Sequence, residues 1–324
     1  MTGAATKVCV TGAGGFLASW LVKLLLSKGY FVHGTVREPG NKKYDHLLKF
    51  DGASENLKLF KAELSDYESL SRAIAGCRAV FHVACPVPAT ALSNPEVEMI
   101  EPSVTGTINV LKACLEAKVE RVVYVSSQFA VSTNPNFPKD AVFDESCWSD
   151  KEYCKKTENW YNLCEDRGGV AGRGFCQKQW LSLVTICPGV VFGPILQAST
   201  VNTSSLALLV HLKVLVNADS VENKQVWLVD VRDVADATLM IYEKPEAEGR
   251  YLCTAHGIMP NEVAEKLRRI YPNYAYPKSF VEVGDRIKLS SEKLQKLGWR
   301  YRPLEETLVD SVESFKAAGL LEAK

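Results

Sequence analysis

The stretch from Lys7 to Leu26 constrains the fold of this chain more than any other. Lys7–Val10 is short and apolar, as expected of a strand buried on both faces of a parallel sheet. Gly12, Gly14 and Gly15 follow, and glycines there let the backbone turn sharply and approach a ligand with no Cβ in the way. From Phe16 the pattern becomes helical, with Leu17, Trp20, Leu21, Leu24 and Leu25 predicted on one face. Strand, glycine turn and helix in that order form a cradle for a dinucleotide pyrophosphate, because the free N–H groups of the helix start favour phosphate. The plainer alternative is a tight turn in some other α/β protein. The strand before the glycines and the helix after them favour the dinucleotide reading.

The 324 residues are 47% hydrophobic and 23% charged, enough for one large domain or a domain with a satellite. The 38 basic and 38 acidic residues balance, so nothing points to a nucleic-acid or membrane-surface partner. No apolar run is long enough to span a bilayer and the first residues carry no apolar signal core, so a cytoplasmic protein is expected. There are ten scattered cysteines. Cys9, Cys77, Cys85, Cys114, Cys187 and Cys253 lie in apolar stretches and read as small core residues. Cys147, Cys154 and Cys164 are close enough in sequence to pair under oxidation, against the plainer expectation of free thiols in a reducing compartment. His33, His46, His82, His211 and His256 show no metal-ligand spacing, so no metal is expected.

Strands are predicted at Phe31–Val36, Leu57–Lys61, Ala79–Ala84, Arg121–Ser126 and Ser182–Cys187. A helix is predicted over Glu101–Ala117, with Ile108, Leu111 and Leu115 on one face. Repeated βα units imply an α/β fold with a doubly wound parallel sheet, its ligands at the carboxyl ends of the strands. After Pro188–Pro194 the pattern breaks. A helix over Ser204–Lys213, a strand over Gln225–Val229, a helix over Asp233–Tyr242 and two or three helices in the proline-bearing tail follow. Residues 1–190 with about 225–255 are expected to form the nucleotide-binding domain. Residues about 191–224 with 256–324 are expected to form a smaller substrate lobe.

The cofactor contacts follow from the strand ends. Gly12, Ala13, Gly14, Gly15, Phe16 and Leu17 make the pyrophosphate turn. Arg37 lies about twenty residues past the glycines, where an acid would bind the ribose hydroxyls of NAD and an arginine suits the extra phosphate of NADP. NADP(H) is therefore the expected cofactor, with Lys43 adding charge. The alternative is that Arg37 is a solvated loop charge. Glu63, after the third strand, either hydrogen-bonds the adenine or is a surface acid. Leu64 beside it, and Val83, Ala84 and Cys85 at the end of the fourth strand, complete this edge. Ser127 ends the fifth strand and Tyr161 starts a later helix. A serine and a tyrosine so placed suit carbonyl reduction, the serine polarising the carbonyl and the tyrosine giving the proton as the cofactor gives hydride. Taken alone, either residue is more often structural.

The motifs Thr11-Gly-Ala-Gly-Gly-Phe16, Gly34-Thr-Val-Arg37, Val80-Phe-His-Val-Ala84, Val125-Ser-Ser127, Asp144-Glu-Ser-Cys-Trp-Ser149, Asn159-Trp-Tyr161 and Gly193-Pro-Ile-Leu-Gln197 resemble the plant cinnamoyl-CoA reductase and dihydroflavonol reductase group. These are extended short-chain dehydrogenases with a Rossmann fold. The resemblance runs from about Lys7 to Leu321, and the tail Leu289–Trp299 is most similar to the cinnamoyl-CoA reductase-like members. It implies NADPH-dependent reduction of a phenylpropanoid thioester, aldehyde or ketone, a small-molecule substrate. It matches Ser127 and Tyr161 to the family's catalytic serine and tyrosine, and Pro188, Gly189, Val190 and Val191 to a loop beside the nicotinamide. Ser204 completes the expected cofactor set. Arg250 matches a family arginine associated with CoA, whereas the family's histidine and lysine for CoA thioesters fall on Ala207 and Val210. His211 and Lys213 are near but out of register. An aldehyde or another phenylpropanoid substrate is therefore expected over a CoA thioester. A nucleotide-sugar epimerase shares the fold and is disfavoured by the near full-length match.

One departure from the family is decisive. It implies a lysine one helical turn after the tyrosine, to lower the tyrosine pKa and hold the nicotinamide ribose. This chain has Glu165 there, and a carboxylate pushes a tyrosine pKa upward. Arg167 falls on another face. Activity is therefore expected to be impaired, and a catalytically inactive NADP-binding sensor or interaction protein is the alternative. The stretch 162–180 also carries Gly168, Gly169, Gly172 and Gly174, each weakening a helix by about 1 kcal/mol. Codons permitted by these residues can be chosen so that the next frame reads I-S-V-K-I-A-E-E-W-Q-A-E-A-F-A-K-S-N-G, an amphipathic helix with its first lysine at position 165. The expectation is a segment translated out of frame; the alternative is a divergent helix.

Overall fold

Strand β1 (Lys7–Val10) is the centre from which the sheet grows in both directions. In this computed structural model residues 6–85, 93–138, 141–179, 181–197 and 219–321 are described. From β1 the chain runs through α1 (Phe16–Ser27), β2 (Phe31–Val36), β3 (Leu57–Lys61), α2 (Tyr67–Ile74), β4 (Ala79–His82), α3 (Glu101–Glu116), β5 (Arg121–Val125), α4 (Trp160–Gln179) and β6 (Ser182–Pro188). It continues through β7 (Val190–Phe192), β8 (Val226–Asp230), α5 (Val231–Glu243), β9 (Gly249–Cys253), β10 (His256–Ile258), α6 (Pro260–Ile270) and α7 (Leu304–Ala317). The main sheet has seven strands in the order β9-β6-β5-β4-β1-β2-β3, all pairs parallel. This is a doubly wound Rossmann architecture. The strand order reverses between β1 and β4, so the crevice above their carboxyl ends is the natural ligand site.

The central strands are almost wholly apolar because helices cover both faces. Val8, Val10, Val32, Phe81, Val123, Val184 and Ile186 pack with Leu21, Val22 and Leu25 of α1 and with Val234, Ala237 and Ile241 of α5. On the other face Cys9, Val80 and Val122 pack with Leu70 and Ile74 of α2 and Val110, Leu111 and Cys114 of α3. The buried stripe of α3 is rotated from the expected one. Gly106, Thr107, Val110, Leu111 and Cys114 are buried, while Ile108 and Leu115 are only half-buried. The rotation follows from a double duty, since α3 packs on the sheet and also against α4.

A second core forms where Phe192, Leu228, Val231, Ile258, Val263, Leu267, Leu308, Val312 and Phe315 meet. Within the stretch 225–255, α5 and β9 join the main sheet, whereas β8 pairs with β7 and β10 in a separate three-stranded sheet. The two cores are tied through Asp233, whose carboxylate bonds Arg302, and through Trp20, whose indole N–H donates to the Pro194 carbonyl at 2.8 Å. Among the described residues no helix is long and apolar enough to cross a membrane.

Candidate active site

The glycine turn is shaped by what a side chain would hit. Gly12 has φ +66°, a conformation only glycine adopts cheaply, and a Cβ there would lie 3.1 Å from the Ala84 Cβ. A Cβ on Gly34 of β2 would lie 2.9 Å from the Ala13 Cβ. The turn closes with Gly15 N–H donating to the Gly12 carbonyl at 2.8 Å, and α1 begins on Gly15 with no side-chain cap and no acid in its first turn. The first N–H groups of α1 are thus left to an anion from outside the chain. This close-walled, uncapped turn fits a dinucleotide pyrophosphate. Phe16 turns its ring into the second core and Leu17 packs between the two cores, so these two residues can offer the ligand only backbone.

Thr11 and His82 lock β1 to β4 beneath the turn. The Thr11 hydroxyl accepts from Val83 N–H and Ala84 N–H, both at 3.0 Å, and lies 2.9 Å from His82 Nδ1. With its oxygen so used, Thr11 donates its proton to Nδ1, and His82 carries hydrogen on Nε2 toward Thr107 Oγ1 at 3.4 Å. Burial holds the His82 imidazole neutral, its pKa pushed down to about 4. The segment Val83–Cys85 is thereby fixed along the crevice.

The charged candidates lie at the other end. Arg37 is exposed just past β2 and makes no ion pair with a described residue. Lys43 stands with its ammonium 4.9 Å from the Tyr44 ring centroid, and that ring lies so close to Gly14 that a Cβ there would run into it. Glu63 is exposed, its N–H donating to Ser69 Oγ at 3.4 Å. Leu64 is committed to packing: a Cβ on Gly106 would lie 2.7 Å from its Cβ, and its carbonyl accepts from Asn109 at 3.0 Å.

Ser127 lies two residues past the end of β5, and its hydroxyl accepts from Phe129 N–H at 3.2 Å. Tyr161 is in the first turn of α4. It leaves 38% of its surface exposed, yet its phenol points inward against Ser127, Glu165 and Cys85. Burial first, then the Glu165 charge, push its pKa well above the usual tyrosine value, and the bond with Ser127 pulls it back. Glu165 is 3% exposed, and its Oε2 has no hydrogen-bond partner among the described residues. Burial pushes its carboxyl up to about 7, against the opposing pull of Tyr161, Cys85 and Ser126. Ser127, Tyr161 and Glu165 are therefore brought together at one place. Cys85 is not the inert core residue expected of it: it is half-buried, and its thiol is in contact with Cys164 and Glu165.

The stretch 162–179 is helical despite its glycines. Two of them sit where α4 meets β5 and α3. A Cβ on Gly168 would lie 2.8 Å from Tyr124 Oη, and one on Gly172 3.5 Å from Leu111 Cδ1. Close approach partly offsets the conformational penalty there, while Gly174 faces open space. Arg167 lies away from Tyr161, beside Ile100, Val104 and Lys151 in a cleft of about 440 Å³.

Pro188 is the buried last residue of β6, and Val190 and Val191 are half-buried in β7. Gly189 N–H donates to the Cys253 carbonyl at 3.0 Å, and a Cβ on Gly189 would run into the Trp227 carbonyl. Ser204, Ala207, Val210, His211 and Lys213 lie outside the described residues. Arg250 is 7% exposed; its Nη2 donates to the carbonyls of Glu145 and Cys147, and its guanidinium lies 3.5 Å from the Trp148 ring centroid. That side chain is engaged in holding the 145–148 segment. Sequence reasoning missed Thr11, His82, Tyr44 and Gln197, whose amide donates to the carbonyls of Gly14 at 3.3 Å and Gly15 at 3.4 Å. The Thr11–His82 pair had one available signal, a polar residue at the end of each of two central strands.

Comparison with known proteins agrees with this architecture. Residues 8–253 match the NAD dependent epimerase/dehydratase family. The chain is 45% identical to cinnamoyl-CoA reductase 1 of Petunia hybrida, over 97% of this chain and 93% of that protein. Among solved structures it is similar to vestitone reductase from alfalfa (Medicago sativa), with 30% identity, TM-score 0.82 and coverage of 97% and 99%. It also matches yeast methylglyoxal/isovaleraldehyde reductase complexed with NADPH, with 26% identity, TM-score 0.85 and coverage of 98% and 100%.

Proposed function

The chain belongs to the NAD dependent epimerase/dehydratase family, in its cinnamoyl-CoA reductase-like group, and from that premise we propose that it is an NADPH-dependent reductase of a phenylpropanoid carbonyl, impaired by Glu165. The observation that carries the reading is the meeting of Ser127 and the Tyr161 phenol at the crevice edge, across from an uncapped helix start. Bound NADPH supplies the hydride. The turn at Gly12–Leu17 would hold the pyrophosphate, and Arg37 and Lys43 would take the 2′-phosphate. Ser127 donates a hydrogen bond to the substrate carbonyl oxygen. Tyr161 delivers the proton to that oxygen from its Oη. Its pKa is high, so the proton is available but the tyrosinate left behind is not stabilised. A lysine at 165 would provide that stabilisation, and the carboxylate opposes it.

The buried, half-bonded Glu165 also favours a second reading, an NADP-binding protein without catalysis that senses the cofactor or binds a partner. The CoA-binding pattern is incomplete, with Ala207 and Val210 at the matching positions, which supports an aldehyde over a thioester. A reading-frame shift over 162–180 accounts for an acid at a lysine's position. The deciding experiment follows NADPH oxidation with coniferaldehyde and with feruloyl-CoA, for the chain as it stands and for Glu165→Lys. Turnover that appears with the lysine supports the reductase. Silence in both, with NADPH still bound, supports the sensor.

A further inference from the structure

Ser19 lies fully buried in the first turn of α1, and three groups converge on its hydroxyl. Its one hydrogen is shared between His46 Nε2 at 2.9 Å and the Ala13 carbonyl at 3.1 Å, and its oxygen accepts from Gln197 Nε2 at 3.2 Å. The other nitrogen of His46, Nδ1, lies 3.1 Å from the Lys43 carbonyl. A carbonyl can only accept, so Nδ1 carries a hydrogen and donates it. His46 therefore bridges the main chain of Lys43 to the helix that opens the glycine turn. Its effect reaches the crevice through two side chains. Tyr44, buried, presses its ring on Gly14, and the Lys43 ammonium stands 4.9 Å from the centre of that ring. Asn41 caps the same short turn, accepting from Lys43 N–H at 3.1 Å.

We propose that His46 is a positioning residue for the cofactor's 2′-phosphate, acting through Lys43. A lysine side chain is long and flexible and pays in rotamer entropy when it binds. Anchoring its backbone to Ser19, and walling its stem with Tyr44, lowers that loss. NADPH and NADH share every other group, so only the 2′-phosphate distinguishes them. The inference rests on reading the glycine turn and Arg37 as an NADP site.

The test measures dissociation constants for NADPH and NADH by titration of the unmodified chain, His46→Ala, Lys43→Ala and the double variant. His46→Ala is expected to lose about tenfold in NADPH affinity while NADH changes by less than about twofold. The double variant is expected to bind NADPH no worse than Lys43→Ala alone, because coupled residues are not additive. His46→Gln, which keeps one donor, recovers part of the loss and carries the comparison if the alanine variant does not fold. Equal losses for both coenzymes, or additive losses in the double variant, overturn the inference while leaving the cofactor reading intact. An unmodified chain that binds neither coenzyme overturns the cofactor reading, and the inference with it.

Discussion

The carboxyl group of Glu165 lies against the phenol of Tyr161, one helical turn along α4, with Ser126 and Cys85 closing the space around them. Burial keeps the acid protonated against the pull of the phenol, and burial with the Glu165 charge keeps the phenol protonated. This is the reverse of what a proton-donating tyrosine in a reductase needs, because its conjugate base is left without a counter-charge.

Replacing the carboxylate therefore changes the rate by charge. Glu165→Lys is expected to raise kcat for coniferaldehyde by about 10²- to 10⁴-fold, the usual scale of a tuned general acid. Glu165→Gln removes the repulsion without adding the counter-charge and should recover only a small part. Steady-state NADPH oxidation across the three proteins checks the order Glu < Gln < Lys. A glutamine variant equal to lysine would show that repulsion alone was the fault.

The same group makes stability depend on pH. The Glu165 carboxyl titrates at about 7 in the fold against 4.5 when unperturbed, so the folded chain holds the extra proton between those values. Its stabilisation is complete below pH 4.5 and is lost as pH rises to about 7, a penalty on the order of 3 kcal/mol. His82 acts in the opposite sense: at about 4 against 6.5, its neutral form favours the fold above 6.5 and that gain is lost on acidification. Above pH 6.5 the His82 contribution is constant, so urea unfolding midpoints should fall from pH 6.5 to pH 8, and Glu165→Gln should abolish most of that fall. A slope unchanged in the glutamine variant would place its origin elsewhere.

The sheet was legible because most of its strands are short apolar runs and the first turn is punctuated by glycine. Phe31–Val36 and Leu57–Lys61 appear with the expected limits. Which sheet a strand joins is another matter. Val226–Asp230 reads as a buried strand, and nothing local says that it pairs with Val190–Phe192 and not with the main sheet. The site residues at strand ends were legible for the same reason as the sheet. Thr11, His82 and Tyr44 were not, because their roles depend on partners as distant as Thr11 and His82, which no periodicity links. The helix over 162–179 resisted in the other direction: its composition argues against a helix, and burial of Gly168 and Gly172 at a close contact restores it.

Those glycines are separable by substitution. Gly174 faces open space on α4, so Gly174→Ala should stabilise the protein by about 1 kcal/mol through helix propensity. Gly168→Ala should not, because its Cβ would stand 2.8 Å from Tyr124 Oη and force α4 from β5. Chemical denaturation of the two variants gives the sign of each. A stabilising Gly168→Ala would mean that α4 sits farther from β5 than described.

The coding DNA between Tyr161 and Leu181 bears on why an acid stands in a reductase at this position. A carboxylate buried with one oxygen unbonded, and a helix weakened by exposed Gly174, are two independent faults confined to one stretch. Random divergence would scatter such faults, whereas a shift of reading frame concentrates them and ends abruptly. The alternative frame corrects both at once, placing lysine at 165 and alanine at 174. The expected finding is one extra base near codon 162 and one missing near codon 180. A protein expressed from the corrected frame should then reduce coniferaldehyde without further substitution. An uninterrupted frame, with codons that cannot yield the lysine string, would mean that Glu165 is native and that the NADP-binding sensor is the better account.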